Sequence, residues 1–148
     1  MIMGIALALC LLLAGQCAAL AGTVKTTLSV QTALASEVVR QVNAERAKKG
    51  LGALRIDPEL SRAAQVRALE ITRKFSHTRP DGTSWRTVSR AAYGENIAVG
   101  QRTADKVMAA WMTSSGHRAN IMRPSYSSIG VCAVVSGNVT YWAQLFGK

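Results

Sequence analysis

Two histidines, His77 and His117, each sit in a phrase that holds chemistry. His77 closes Phe75-Ser76-His77, and His117 stands in Gly116-His117-Arg118-Ala119-Asn120. Between them a carboxylate follows a glycine, in Gly94-Glu95-Asn96. Imidazole titrates near neutrality and is the commonest metal ligand. Zinc accepts imidazole nitrogens and carboxylate oxygens, and an open position holds water. Two histidines alone make a weak site, so the role of Glu95 matters. It is either a third ligand or a partner that orients one imidazole through its second nitrogen. The plainer alternative keeps both imidazoles neutral and hydrogen-bonded, with Glu95 satisfying backbone amides at a loop. Ser114 adds another arrangement: three residues before His117 on what reads as a helix end, its side chain can meet the imidazole. With Glu95 this is a nominal Ser-His-acid set. Nucleophilic catalysis also needs an oxyanion hole, and nothing in the sequence supplies one, so a polar helix-terminal role for Ser114 is preferred.

Three long helical segments must position these residues. The first runs from Thr32 to Lys49, with Leu34, Val38 and Val42 at four-residue spacing and Gly50 as a stop. Asp57-Pro58-Glu59 supplies an N-cap, a first-turn proline and a favourable charge for the second. That helix is expected to reach Phe75, with Leu60, Ala64, Ala68, Ile71 and Phe75 as its apolar stripe. A short helix is expected over Trp85 to Ala92. The third long helix starts at an N-cap, Thr103, and ends around Ser115-Gly116, with Val107, Met108, Trp111 and Met112 on its apolar face. Ser128 to Val135 and Val139 to Phe146 are rich in β-branched and aromatic residues. Ser136-Gly137-Asn138 joins them as a hairpin. Helices early and strands late predict an α+β domain, with helices packed on a small antiparallel sheet.

At 148 residues the chain has room for one domain. Its beginning reads as a secretory signal peptide over residues 1–21. Ile2 to Leu13 is almost purely apolar, no charge precedes Lys25, and Ala19-Leu20-Ala21 is a small-x-small cleavage site. The run is short for a transmembrane span, and no such helix is expected in the mature chain. Lipoprotein processing at Cys17 is the rival, and Gln16 before that cysteine disfavours it. Residues 22–31 read as a disordered leader. Cleavage leaves Cys132 as a lone thiol, so the exported domain holds together through its core and not through a disulfide. The net charge of +10 would draw such a domain toward anionic lipid, wall polymers or nucleic acid, but a solvated surface is the preferred reading of these charges. The basic residues are spread along helices without interleaved aromatics, which gives nucleic-acid binding little support.

These residues also carry a resemblance. Val42-Asn43-Ala44-Glu45-Arg46, Leu54, and Pro58-Glu59-Leu60 with Ala63 and Ala64 resemble the opening of a CAP domain. That superfamily comprises the cysteine-rich secretory, antigen 5 and pathogenesis-related 1 proteins (SCP-like proteins). Phe75-Ser76-His77, Gly94-Glu95-Asn96-Ile97-Ala98, and Trp111-Met112 with Ser115 to Met122 are similar to its bacterial branch. Gly130-Val131 and Trp142 to Gly147 are similar to its closing strands. The resemblance implies an α-β-α sandwich over residues 32–148. It also implies a cleft of two histidines and two acids, where in some members the histidines hold a divalent metal. By position His77, Glu95 and His117 match three of the four. Ser114 stands where the second acid is expected, so the cleft has one negative charge fewer.

The expected function is an exported, secreted or periplasmic, monomeric binding or interaction module. Its cleft would take a small hydrophobic ligand or lipid, with Zn2+ or another divalent cation at His77 and His117. Asn96, Gln144 and Ser114 are read as lining that cleft, Gln144 with solvent as its alternative. Tyr93, Trp85 and Tyr126 read as packing first and as groove lining second. Two alternatives stay open: a hydrolase using His77, Glu95 and His117, and binding to a lipid or anionic envelope surface through the basic helices. Of enzyme and non-enzyme, the second is preferred.

Overall fold

The computed structural model of the chain describes residues 32–148; the expected signal peptide and leader lie outside the described residues. Helix α1 covers residues 32–47. It buries Val38 and Val42 completely, as their spacing predicts. Helix α2 is Pro58–Arg73, and the Asp57 carboxylate accepts hydrogen bonds from the Glu59 and Leu60 amides at its start. It ends earlier than expected. Lys74 is the C-cap, and Phe75 leaves the apolar stripe to stand half exposed. The expected short helix contracts to one 3-10 turn, Trp85–Val88. Helix α3 is Ala104–Thr113, capped by the Thr103 hydroxyl, and a separate helix α4 is Ser115–Ile121. His117 therefore lies inside α4 and not at the end of α3.

Four strands form one sheet: β1 (Arg55–Ile56), β2 (Gly94–Val99), β3 (Ser128–Ser136) and β4 (Val139–Gly147), in the order β1-β3-β4-β2. The expected hairpin joins β3 to β4 through Gly137-Asn138. Gly137 takes φ 61°, the left-handed conformation that the first central residue of such a turn requires. Both β3 and β2 run antiparallel to β4, whereas β1 runs parallel to β3, so the sheet is mixed and not purely antiparallel. A parallel neighbour needs a crossover, and α2 lies in the connection from β1 to β3.

Residue alternation divides the core between two faces. Ile129, Val131 and Ala133 of β3, with Trp142 and Phe146 of β4, pack with α1, α3 and α4 through Val38, Val42, Val107, Trp111 and Ile121. On the other face Leu145 packs with Leu60, Ala63 and Ala64 of α2. The result is the helix–sheet–helix sandwich. The start of α2 lies directly on β3: a Cβ at Gly130 would overlap the backbone of Leu60 and Ser61. Glu95, placed at a loop in the plainer reading of its role, lies instead in Gly94–Val99, the edge strand β2. Five of its six residues are buried, so it lacks the half-polar alternation by which a strand is usually recognised.

Candidate functional site

Successive side chains of β2 point to opposite faces of the sheet, and this separates Glu95 from Asn96. Glu95 pairs across the ladder with Leu145, on the α2 face. There it meets Arg67 of α2, whose side chain is fully buried. Arg67 Nε donates to Glu95 Oε2 at 2.6 Å and Nη2 donates to Oε1 at 3.3 Å. His77 Nδ1 lies 2.7 Å from Glu95 Oε1. A carboxylate only accepts, so Nδ1 carries the proton and Nε2 of His77 remains for another partner. Arg67 also donates to Glu70 Oε2 (2.6 Å) and to the Ser76 carbonyl (2.7 Å), which fixes the backbone immediately before His77. Arg79 holds Glu70 from the far side, Nη2 to Oε1 at 2.6 Å. The charges thus alternate along a chain Arg79–Glu70–Arg67–Glu95–His77. Burial alone would lower the Arg67 pKa, but its bonds to Glu95 and Glu70 outweigh that and raise it. Burial likewise works to raise the Glu70 pKa, and Arg79 and Arg67 overcome it and lower it.

Asn96 faces the other way. Its Nδ2 donates to Gln144 Oε1 (2.9 Å) and to the carbonyl of His117 (3.1 Å). Asn120 Nδ2 donates back to Asn96 Oδ1 (2.9 Å) and to the Glu95 carbonyl (3.1 Å). These bonds pin α4 to the edge strand. They set where His117 stands relative to the Glu95–His77 pair. His117 is half-buried, and its pKa is lowered from 6.5, first by burial and then by the charge of His77. Both effects favour the neutral form of His117.

A pocket of about 450 Å³ opens where β2 begins. His77, Glu95, Asn120, Trp85, Tyr93 and Tyr126 line it, joined by Arg86 and Arg123. The three aromatic residues thus form its walls, the second of their two sequence readings. Tyr126 also donates to the Tyr93 carbonyl (3.0 Å) and packs on Phe146, so it serves both pocket and core. Gly94 is required here: a Cβ would stand 2.6 Å from the Tyr126 hydroxyl.

The remaining candidates are placed differently. Gln144 neither lines this pocket nor faces solvent: it is fully buried between the sheet and the helices and holds Asn96. Ser114 is the pivot between α3 and α4, and among the described residues its side chain makes no bond to His117. Glu95 orients His77 and not His117, so a Ser-His-acid relay is not assembled. For a metal, Glu95 as a direct third ligand does not fit, because Arg67 and His77 engage both carboxylate oxygens. Among the described residues no three His, Cys, Asp or Glu side chains are grouped to hold an ion. Sequence reasoning missed Arg67, Arg86 and Arg123 as members of the site.

Known proteins share this architecture. The domain of an extracellular protein from Bacillus anthracis, which contains an SCP domain, superposes with a TM-score of 0.68 at 20% identity, covering 84% of this chain and 43% of that one. A cysteine-rich secretory protein from Staphylococcus aureus gives 0.65 at 20% identity, covering 80% and 40%. An outer surface protein of Borrelia burgdorferi gives 0.63 at 22%, covering 74% and 88%. At the sequence level, YkwD of Bacillus subtilis (strain 168) is 38% identical over 149 aligned positions, 90% of this chain but only 55% of that protein. The profile of CAP, the cysteine-rich secretory protein family, matches residues 39–146. With the fold, the motifs and that match in agreement, the chain belongs to the cysteine-rich secretory protein family and carries its CAP domain.

Proposed function

We propose that the domain is an exported binding module whose pocket at the start of β2 takes a small ligand against His77. The observation that carries this reading is the orientation of His77. A buried Arg67–Glu95 pair holds its ring by Nδ1 at the mouth of a concave, aromatic-walled site. Sites of this size with a few placed polar groups are the usual seats of small molecules. Export is supported by the apolar beginning of the chain and by relatives described as extracellular or outer surface proteins. Among the described residues no helix is long and apolar enough to cross a membrane. A divalent cation such as zinc enters this reading through the two imidazoles, with Glu95 acting from behind His77.

The test is a fragment screen of the purified domain, with zinc included, read by backbone amide and imidazole NMR shifts. Hits are expected to move Tyr93, Gly94, Glu95 and Asn120 together with the His77 ring, and His77→Ala is expected to remove them. Hits that leave those signals still while moving another surface would overturn the pocket as the binding site.

A second reading has its own observation. The outer face of α2 exposes Val66 and Leu69 between Arg62 and Arg73, with Lys74 and a half-exposed Phe75 at its end. Apolar side chains framed by basic ones suit an anionic lipid surface.

A further inference from the structure

Cations cover the aromatic walls of the pocket. The Arg86 guanidinium carbon lies 4.8 Å from the centroid of the Trp85 ring, and that of Arg123 lies 5.4 Å from the Tyr126 ring. Lys148 Nζ stands 4.7 Å from the Tyr93 ring. Both arginines line the pocket together with all three rings. They come from different elements, the 3-10 turn and the segment after α4. Among the described residues neither has an acidic partner, since the ion pairs formed by arginine involve only Arg40, Arg67 and Arg79. Glu95 is the one acid in the lining, and Arg67 neutralises it from behind. The pocket therefore carries two uncompensated guanidiniums, each lying over a ring. A guanidinium held over a ring still has N–H groups to donate, and its planar fork matches a carboxylate or phosphate.

We propose that the ligand of this pocket is an anion: a small molecule whose carboxylate or phosphate is taken by Arg86 and Arg123, while its body rests against Trp85 and Tyr93, the two lining rings that are not buried. This rests on the pocket being the binding site, and it adds the chemical class. It also differs from the hydrophobic or lipid ligand expected from the sequence, because the charge lies in the lining itself. The packing supports discrimination: Tyr126 is almost fully buried and fixed by its bond to the Tyr93 carbonyl, so the wall beneath Arg123 is rigid.

Phenyl phosphate and benzoate are the probes, with phenol as the neutral counterpart, and the whole domain is titrated. Trp85 fluorescence and amide shifts report binding; Trp111 and Trp142 are buried in the core and respond little. Both anions are expected to bind at least about ten-fold more tightly than phenol, a charge-assisted hydrogen bond being worth about 1.5–3 kcal/mol. Arg86→Gln and Arg123→Gln should each weaken phenyl phosphate by about ten-fold on the same ground. Arg102→Gln, beyond the opposite end of β2, should leave it unchanged. A stronger response to phenyl phosphate than to benzoate assigns the phosphate, and the reverse assigns the carboxylate. If phenol binds as tightly as the anions and still shifts Gly94 and Glu95, the anion proposal is overturned and the pocket stands. If Arg102→Gln weakens binding as much as Arg86→Gln, the attraction is non-specific and the proposal falls. If no probe shifts the pocket residues, both readings fall. Unchanged thermal unfolding of each variant certifies that it is folded.

Discussion

A buried guanidinium loses several kcal/mol of hydration, and only close partners recover it. Arg67 recovers it from Glu95, Glu70 and the Ser76 carbonyl. Removing it would leave Glu95 buried and charged, with His77 as its one remaining side-chain partner among the described residues. Arg67→Met is therefore expected to destabilise the domain by about 3–5 kcal/mol in urea unfolding. Adding Glu95→Gln to that variant should return a large part of the loss, because the buried carboxylate charge left by Arg67 is then gone. A loss below about 1 kcal/mol for Arg67→Met would mean that Glu95 finds water, as a surface ion pair does. The same variant should also broaden the His77 ring signals, since Glu95 loses its second anchor. His77, Glu95 and His117 were legible in the sequence because histidine is scarce and its neighbours form motifs. Arg67 was hidden as one of three arginines of α2, Arg62, Arg67 and Arg73. Its signal was positional: it falls on the stripe of Leu60, Ala64 and Ile71, where a charge has no place unless it is paired. Arg46 gives the same signal on α1, four residues after Val42. It too is buried, donating to the carbonyls of Gly52, Ile121, Arg123 and Tyr126.

Elements place the site by close backbone approach, and glycines mark where. On the central strand β3, Gly130 lets the first turn of α2 rest on the sheet. Backbone cannot rotate out of the way as a side chain can. Gly130→Ala should lift α2, carry Arg67 away from Glu95, and cost about 2–3 kcal/mol or more in thermal unfolding. Gly116 on α4 is the contrast: an added Cβ meets nothing within 4 Å, and its φ is not positive. Gly116→Ala should leave the fold unchanged and stabilise it by about 0.5–1 kcal/mol through helix propensity. Equal losses at the two positions would sink the packing argument. The helices and the hairpin were readable because periodicity, caps and the Gly137 turn act locally. β1 and β2 were not. Their strand character comes from partners far along the chain, β3 for one and β4 for the other, and Gly94-Glu95-Asn96 has no β propensity of its own. The split of α3 from α4 was missed for a related reason: Asn96 and Asn120 hold α4 to β2 across the sequence.

Charge is the property that belongs to the whole molecule. Eighteen basic residues face eight acids, a net +10. Several acids are already engaged: Glu37 with Arg40, Glu45 with Lys48, Glu70 with Arg67 and Arg79, and Glu95 with Arg67. The field that reaches solvent is positive, and the outer face of α2 adds exposed Val66 and Leu69 to it. If this face meets an anionic membrane, attraction comes from the charge and retention from the apolar contact, and the two separate experimentally. Partitioning onto phosphatidylglycerol vesicles should fall steeply as salt rises from about 0.1 M to about 1 M, where the screening length shrinks from about 10 Å to about 3 Å. Leu69→Ser should weaken binding at every salt concentration, by roughly ten-fold for a leucine worth about 1.5–3 kcal/mol when buried. Both side chains point away from the core, so neither Val66→Ser nor Leu69→Ser should disturb folding. Binding that falls with salt but ignores Leu69→Ser would assign the attraction to charge spread over the whole surface. Binding indifferent to salt would remove the membrane reading and leave the cationic pocket to account for the ligand.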